Sequence, residues 1–532
     1  MHDKKTVAHR YSQLESERHT FLERGRDAAE LTLPTLLPPQ GHSSATVYKT
    51  PYQSVGARGV NNLASKLLMT LLPPNSPFFR LTIDDFDIEE LAGRKDARGA
   101  VEEALARLER TAQQDIEALA VRVPIHEALK QLIVTGNALV YMPKEGGMKV
   151  YRLDRYVVKR DTMGNVLEII TKESVSPQVL PKAAQDIIFG ENQEYDNENI
   201  NNAKNCDLYT HVCRRGDKFD IHQEVKGVEI PKSRGSFPKE RLPFIPLRFT
   251  RIDGEDYGRG YVEEYIGDLR SLEALTRAIV EGAAASAKVL FLVRPNGTTK
   301  QRVLSQAPNG GIVSGDSNDV STLQVQKQGD FRVAQETALE ISKRLSFAFL
   351  LNNSVQRKAE RVTAEEVRFM AQELETALGG VYSILSMEFQ RPFVNILLAR
   401  LEQQGKMPKM PKDTVKPQIV TGLEALGRGQ DLSKLAQLLQ YLQPLGQDII
   451  SQELNVADYI DRLAASLGID TGGLIKSPEQ RQAEAQASQQ ANQQAMMQEA
   501  MKNMAERAAP NLAERGMDYL EGQQQQEMEM EN

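Results

Sequence analysis

The chain has no tryptophan and only two cysteines, Cys206 and Cys213, in 532 residues. Two thiols cannot staple a chain of this length, which excludes the disulfide-rich secreted class. Histidine is scarce and confined. All seven (His2, His9, His19, His42, His126, His211, His222) lie in the first 222 residues, so the remaining 310 cannot build a histidine triad or a thiolate site. No apolar run approaches the roughly 18 residues that a membrane span needs. The best stretch, 283–293, is short and broken by Lys288. The first residues, MHDKKTVAHR, lead into a charged helical pattern and not an apolar signal core. Together these absences point to a reducing cytoplasm. No G-x-x-x-x-G-K-[ST], H-E-x-x-H or G-x-S-x-G occurs, which leans away from an enzyme.

Charge of one sign is also missing from most of the chain. The net charge is −7, but residues 477–532 hold four basic against ten acidic side chains, leaving 61 basic and 62 acidic of the totals of 65 and 72 in the first 476 residues. A nearly neutral body cannot bind nucleic acid by wholesale charge neutralisation. Contact with DNA would have to run through a few local groups. Hydrophobic content of 40% and charged content of 26% are those of a globular protein, and the length allows about three to four domains.

Along the chain, Tyr11, Leu14, Phe21 and Leu22 recur near helical spacing in 9–30, and Pro34, Pro38 and Pro39 stop that helix. Residues 58–72 and 99–120 read as two more helices. From 138 to 249 the texture changes to short strands: 140–142, 148–153, 156–160 and 166–171, with 208–213 and 218–225 as a hairpin around Arg215-Gly216-Asp217. Residues 261–285 are helical. A small module follows, with strand 289–293, a hairpin-type turn at Pro295-Asn296-Gly297, a turn at 308–311 and strand 321–325. Helix resumes over 331–351. After the loop 352–361, Thr363 and Glu366 form a capping box, and Val367, Met370, Leu374, Leu378, Val381, Leu385 and Phe389 mark a long helix. Unbroken to 404 it would span about 60 Å, and Gly379-Gly380 and Pro392 are expected to bend it. Residues 431–467 carry two or three shorter helices. The tail after Ser477, with 12 Gln and 7 of the 16 Met, lacks an apolar stripe and reads as flexible, or helical only against a partner.

Four features carry candidate chemistry. Cys206, His211, Cys213 and His222 are four soft ligands within 17 residues, but their spacing matches no tight zinc pair; a half-buried hairpin with ordinary polar residues is the better reading. Gly254, Gly258 and Gly260 imitate a phosphate loop, yet Glu255, Asp256, Glu263 and Glu264 would repel an anion. A sharp turn feeding a helix N-terminus fits better. Arg357, Lys358 and Arg361, with Lys343 and Arg344 upstream, concentrate cations between two strong helices. On chemistry alone they are either a solvated helix connection or a contact with phosphates that reads no sequence. Arg294, Lys300 and Arg302 in the turn-rich module are ordinary surface charges when taken by themselves.

The order of these parts, with the blocks PYQSVGARGVNNLASKLLMTLLPPNSPFFRL (51–81), DGEDYGRGYVEEYIGDLRSLEAL (253–275) and NNSVQRKAERVTAEEVRFMAQELETALGGVYSILSMEFQRPFV (352–394), resembles the head-to-tail connector (portal) proteins of short-tailed phages, the podovirus group. The resemblance implies an α+β, mostly helical portal fold assembled as a ring of twelve around a channel at one capsid vertex. It implies a wing over 1–260, stem helices at 261–286 and 331–351, a clip at 287–330, and a tunnel loop at 352–361. A long bent wing helix with its connection would follow at 362–419, then a crown at 420–500 and a flexible tail at 501–532.

The same resemblance implies that Arg357, Lys358, Arg361, Lys343 and Arg344 contact double-stranded DNA without sequence preference, and that Arg294, Lys300 and Arg302 lie on the clip surface that docks the terminase large subunit and then the tail adaptor. It further implies scaffold, major capsid and internal core proteins as partners and a role in starting procapsid assembly. The protein would reside in the virion, and in the host cytoplasm during assembly. No catalytic residue, cofactor, metal or membrane is implied. A sliding conduit must not grip DNA tightly, which suits the acidic positions Glu263, Glu264, Asp268 and Glu281. Two alternatives stand beside this reading: a packaging-associated nuclease or ATPase, and a capsid scaffold or minor coat protein without a channel.

Overall fold

A computed structural model describes residues 6–43, 45–74, 78–83, 97–190, 204–286, 290–323, 328–351, 373–374, 376–378, 380–408, 415–419, 436–445, 459–460, 463 and 493–502. The chain divides into two compact units, 1–427 and 428–532. In the second unit, residues 436–442 and 493–502 are helical. The latter stretch is exposed at Met496, Met497 and Met501.

In the first unit, helix α1 (Val7–Glu30) is capped by Thr6, whose hydroxyl accepts from the His9 amide at 3.3 Å. It buries Tyr11, Leu14, Leu22 and Ala29 at helical spacing. Helix α2 (Val55–Leu71) turns Val60, Leu63, Leu67 and Leu71 inward, each worth about 1.5–3 kcal/mol on burial. Strand β1 (Phe79–Ile83) and helix α3 (Ala97–Ala118) follow. Helix α4 (Arg122–Thr135) is buried along nearly its whole second half and ends at Gly136, whose φ of +76° no side chain adopts cheaply. A Cβ at Gly136 would also strike the Arg259–Gly260 backbone, so this close approach demands glycine.

Three antiparallel arrangements complete the body. Strands β2 (Asn137–Tyr141) and β3 (Lys149–Tyr151) join β10 (Phe244–Arg248) in the order β10-β2-β3. A six-stranded sheet runs β4 (Tyr156–Arg160), β5 (Val166–Val175), β6 (Cys206–Arg215), β7 (Lys218–Val225), β8 (Val228–Glu229), with β9 (Gly235–Pro238) also paired to β7. Helix α5 (Lys182–Phe189) lies in the connection between β5 and β6. Strand β1 pairs with β13 (Val415–Ile419), Phe79 opposite Ile419. One hydrophobic core runs from Leu22 to Met407.

The short helix α6 (Tyr261–Glu264) leads into α7 (Ile266–Ser286). Strand β11 (Leu290–Val293), helix α8 (Gln301–Gln306) and strand β12 (Val320–Leu323) form the small module, and α9 (Gln328–Ala348) packs back along α7. Helix α10 (Val381–Leu385), a π-helix (Ser386–Gln390) and α11 (Arg391–Gln403) close the core.

Most sequence expectations for helices and strands hold, with three corrections. The turn at 295–297 makes no β-hairpin: Val293 pairs with Val320, and α8 lies between the strands. The long helix is not continuous in its described part. It turns at Gly380 and loosens into the π-helix immediately before Pro392, where the proline ring leaves a carbonyl without its usual partner. Helices α4 and α5 and the β1–β13 pair were not anticipated.

Candidate functional site

The α7–α9 hairpin buries Leu269 and Leu272 against Ile341 and Leu345. Near one end Phe331 packs so closely on Gly282 that no Cβ fits there. Toward the other end Arg344 Nη2 meets Asp268 Oδ1 at 2.9 Å. Exposed apolar side chains remain on the hairpin: Val280, Val333, Leu339 and Phe347, the last 74% exposed.

The hairpin is rooted in the body by aromatic packing and a polar clamp. Phe349 sits edge-on to Tyr261 at 5.7 Å and over Gly59, where an added Cβ would lie 2.5–2.9 Å from its side chain. The last carbonyls after α9 have no helical partner. Helix α2 supplies them: Asn62 Nδ2 donates to Phe349 and Leu350 oxygens at 3.1 and 2.9 Å, and Lys66 Nζ donates to the Leu350 oxygen at 3.1 Å. Lys66 is buried and also meets Glu373 Oε2 at 2.8 Å. One lysine therefore ties the end of α9 to Glu373, across the segment 352–372. A cation there also suits the helix C-terminus.

The sequence-predicted cations are distributed unevenly. Lys343 is exposed and has no ion pair among the described residues, whereas Arg344 is occupied by Asp268. Arg357, Lys358 and Arg361 lie outside the described residues. Of the acids, Glu263 is held by Arg24 and Arg259, at 3.4 and 3.0 Å, and Asp268 by Arg344. Burial, and then Glu263, push the Glu264 carboxyl up. Glu281 is exposed and accepts from the Tyr52 hydroxyl at 3.4 Å.

In the module, Arg294, Lys300 and Arg302 are exposed and free of ion pairs among the described residues. The fixed point is Asp319, which accepts from the Thr299 amide and the Thr298 hydroxyl, both at 3.1 Å. The bond from Thr299 leads in holding its carboxyl below the usual range. Phe291, Leu292, Val303 and Ile312 are exposed around it.

The soft-ligand group does not converge on a point. His211 and His222 face each other across β6 and β7 with ring centres 5.0 Å apart, while Cys206 lies at the start of β6, its thiol donating to the Val175 oxygen. His211 Nε2 is engaged by Glu168 Oε1 at 2.8 Å, and Arg10 of α1 donates to the same carboxylate at 2.8 and 3.0 Å. Burial alone would raise the Glu168 pKa; the bonds from His211 and Arg10 override it and bring it down to about 2. Burial, then His211, lowers the His222 pKa. Among the described residues no three His, Cys, Asp or Glu side chains are grouped to hold a metal. This cluster is a lock between α1 and the large sheet, a role the spacing alone did not suggest.

The glycine-rich segment is a turn, as expected. Gly254 has φ +76°, the Gly258 amide donates to Asn137 Oδ1 at 2.7 Å, and Gly260 precedes α6 against the Val134 carbonyl. Glu255 there binds Arg259. Among the described residues no helix is long and apolar enough to cross a membrane.

The profile of the family described as bacteriophage head to tail connecting protein matches residues 4–475. The portal protein of Escherichia phage T7 is 44% identical over 479 residues, 89% of this chain and 88% of that one. The portal protein of Enterobacteria phage SP6 is 31% identical over 482 residues, 90% and 92% of the two chains. Among solved structures, the neck of an empty gene transfer agent particle aligns over 72% of this chain and 86% of that one at 11% identity, with a TM-score of 0.34, too weak a likeness to carry an argument.

Proposed function

The chain belongs to the bacteriophage head to tail connecting protein family, and from that premise we propose that it works as the portal ring of a capsid, twelve copies closing around a channel for double-stranded DNA. The observation that carries this is the extent of the likeness, which takes in nearly nine-tenths of the chain and of the T7 portal protein. The relatives lend no support to a packaging nuclease or ATPase, or to a scaffold or minor coat protein without a channel. The chain is read as a structural component of the virion without enzymatic chemistry of its own.

In this arrangement α7 and α9 are the stem, the module between them is the clip, and 352–361 is the tunnel loop. The body of 1–260 with the helices after 362 forms the wing, and 420–500 the crown. The clip, with Arg294, Lys300 and Arg302 and its exposed Phe291 and Ile312, is the surface for the terminase large subunit and later the tail adaptor. The wing and crown face scaffold, major capsid and internal core proteins, and the ring starts procapsid assembly in the host cytoplasm.

Each lasting phosphate contact adds affinity and slows translocation. A conduit therefore needs few free cations, and Glu263 and Asp268 spend their charge on Arg24, Arg259 and Arg344 within the chain. Sparse cations at Arg357, Lys358, Arg361 and Lys343, repeated around a ring, give a light grip. Replacing Arg357, Lys358 and Arg361 together by Gln should leave rings intact, as seen by light scattering and negative stain, and reduce DNA packaging or retention. Normal yields of genome-filled heads from that variant would remove the role assigned to the loop.

A further inference from the structure

A closed ring of identical chains uses heterologous contacts, in which one patch of a copy meets a different patch of the next. The α7–α9 hairpin carries two such unlike faces. On α7 the exposed residues Ala274, Arg277, Glu281 and Ala284 recur at three- and four-residue spacing and are mostly small. On α9 the exposed residues Arg332, Val333, Glu336 and Leu339 do the same, and two of them are large and apolar.

Two contacts fix how the antiparallel helices lie beside each other. Asp268 and Arg344 share one level, and Gly282 and Phe331 share another. Counting between those levels at 1.5 Å per residue brings Glu336 level with Arg277, Arg332 level with Glu281, and Leu339 level with Ala274. Rotation about an axis along the hairpin carries one copy to the next without changing level. Opposite charges then meet opposite charges, and a leucine meets an alanine.

We infer that α9 of one copy seats against α7 of its neighbour, pairing Glu336 with Arg277 and Arg332 with Glu281 around Leu339 and Ala274. This rests on the ring proposed above and names the faces that close it. The charge order also fixes the register. A slip of one helical turn in either direction sets Arg332 against Arg277 or Glu336 against Glu281, and like charges reject both. The present partners do not compete strongly. Arg277 lies 3.9 Å from Glu273 and 5.2 Å from the Tyr52 ring centre, and Arg332 lies 3.8 Å from Glu336, all at exposed positions where ion pairs contribute little.

The test is charge reversal and its reciprocal repair in the full chain, read by size-exclusion with light scattering and by negative stain. Arg277→Glu and Glu336→Arg should each raise the concentration for half-assembly at least about tenfold, and the Arg277→Glu/Glu336→Arg double variant should recover most of it. Glu281→Arg and Arg332→Glu form a second, independent pair, so a fold defect from losing Arg277 beside Tyr52 cannot decide the outcome. Single variants that assemble like the parent chain, or double variants no better than the singles in both pairs, overturn the pairing. Loss of a different protein partner from the Glu336→Arg variant with rings intact overturns it as well. A parent chain that never closes into rings refutes the ring itself, a separate failure.

Discussion

Replacing Lys66 by methionine isolates the clamp at the end of α9. Methionine keeps the unbranched aliphatic stem and removes the ammonium, which is 7% exposed and bonded to the Leu350 oxygen and to Glu373. The Leu350 oxygen keeps its bond from Asn62, so the main loss is the cation beside Glu373. Removing one partner of a buried pair costs about 3–5 kcal/mol. The Glu373 side chain is 17% exposed, so water reaches it, and about 2–3 kcal/mol is expected. The assay is urea unfolding of the purified chain, following the transition of the first unit at constant slope. A second substitution, Glu373→Gln, should return about half or more of the loss, because the stranded carboxylate is then gone. The reasoning fails if Lys66→Met costs under about 0.5 kcal/mol, or if the double variant is no more stable than Lys66→Met alone.

Gly59→Ala places a methyl 2.5–2.9 Å from the Phe349 side chain, and should cost about 1–3 kcal/mol through overpacking; an unchanged melting temperature would contradict that contact. The Glu168 lock gives a signed pH dependence. Its carboxyl titrates at about 2 in the folded chain against about 4.3 when unfolded. The stabilisation is therefore complete above pH ~4.3 and is lost as pH falls toward 2. Because the Arg10 side chain is 41% exposed, about 1–2 kcal/mol is expected after solvent screening. Glu168→Gln should flatten the acid-unfolding curve in that window, and an unchanged slope would exclude the lock.

What the sequence revealed depended on whether the signal was local. Helix α1 announces itself through Tyr11, Leu14 and Leu22 on one face and charges on the other. Helix α4 does not, because Ile125, Leu129, Leu132, Ile133 and Val134 are all buried and leave no polar face to set a period. Pro124 adds to the concealment: it reads as a breaker but occupies the first turn, where a missing N–H costs nothing. The glycine-rich turn at 254–260 was legible from its acids, and the hairpin at 215–217 from its glycine. Lys66 was not, since a lysine among leucines on an amphipathic helix looks like any surface cation until a distant helix end and Glu373 arrive beside it. The same holds for Glu168, whose partners come from α1 and from β6.

The pairing of β1 with β13 bears on when a copy becomes fit to join others. Phe79 finds Ile419 about 340 residues later, so at a synthesis rate of about 5–20 residues per second the first strand waits from under twenty seconds to about a minute for its neighbour. Until then the surrounding phenylalanines, Phe78 and Phe79, stand uncovered on the nascent chain and depend on chaperoning. A copy thus finishes its interior only when translation is nearly over, and half-made chains are kept out of any growing assembly by their own topology.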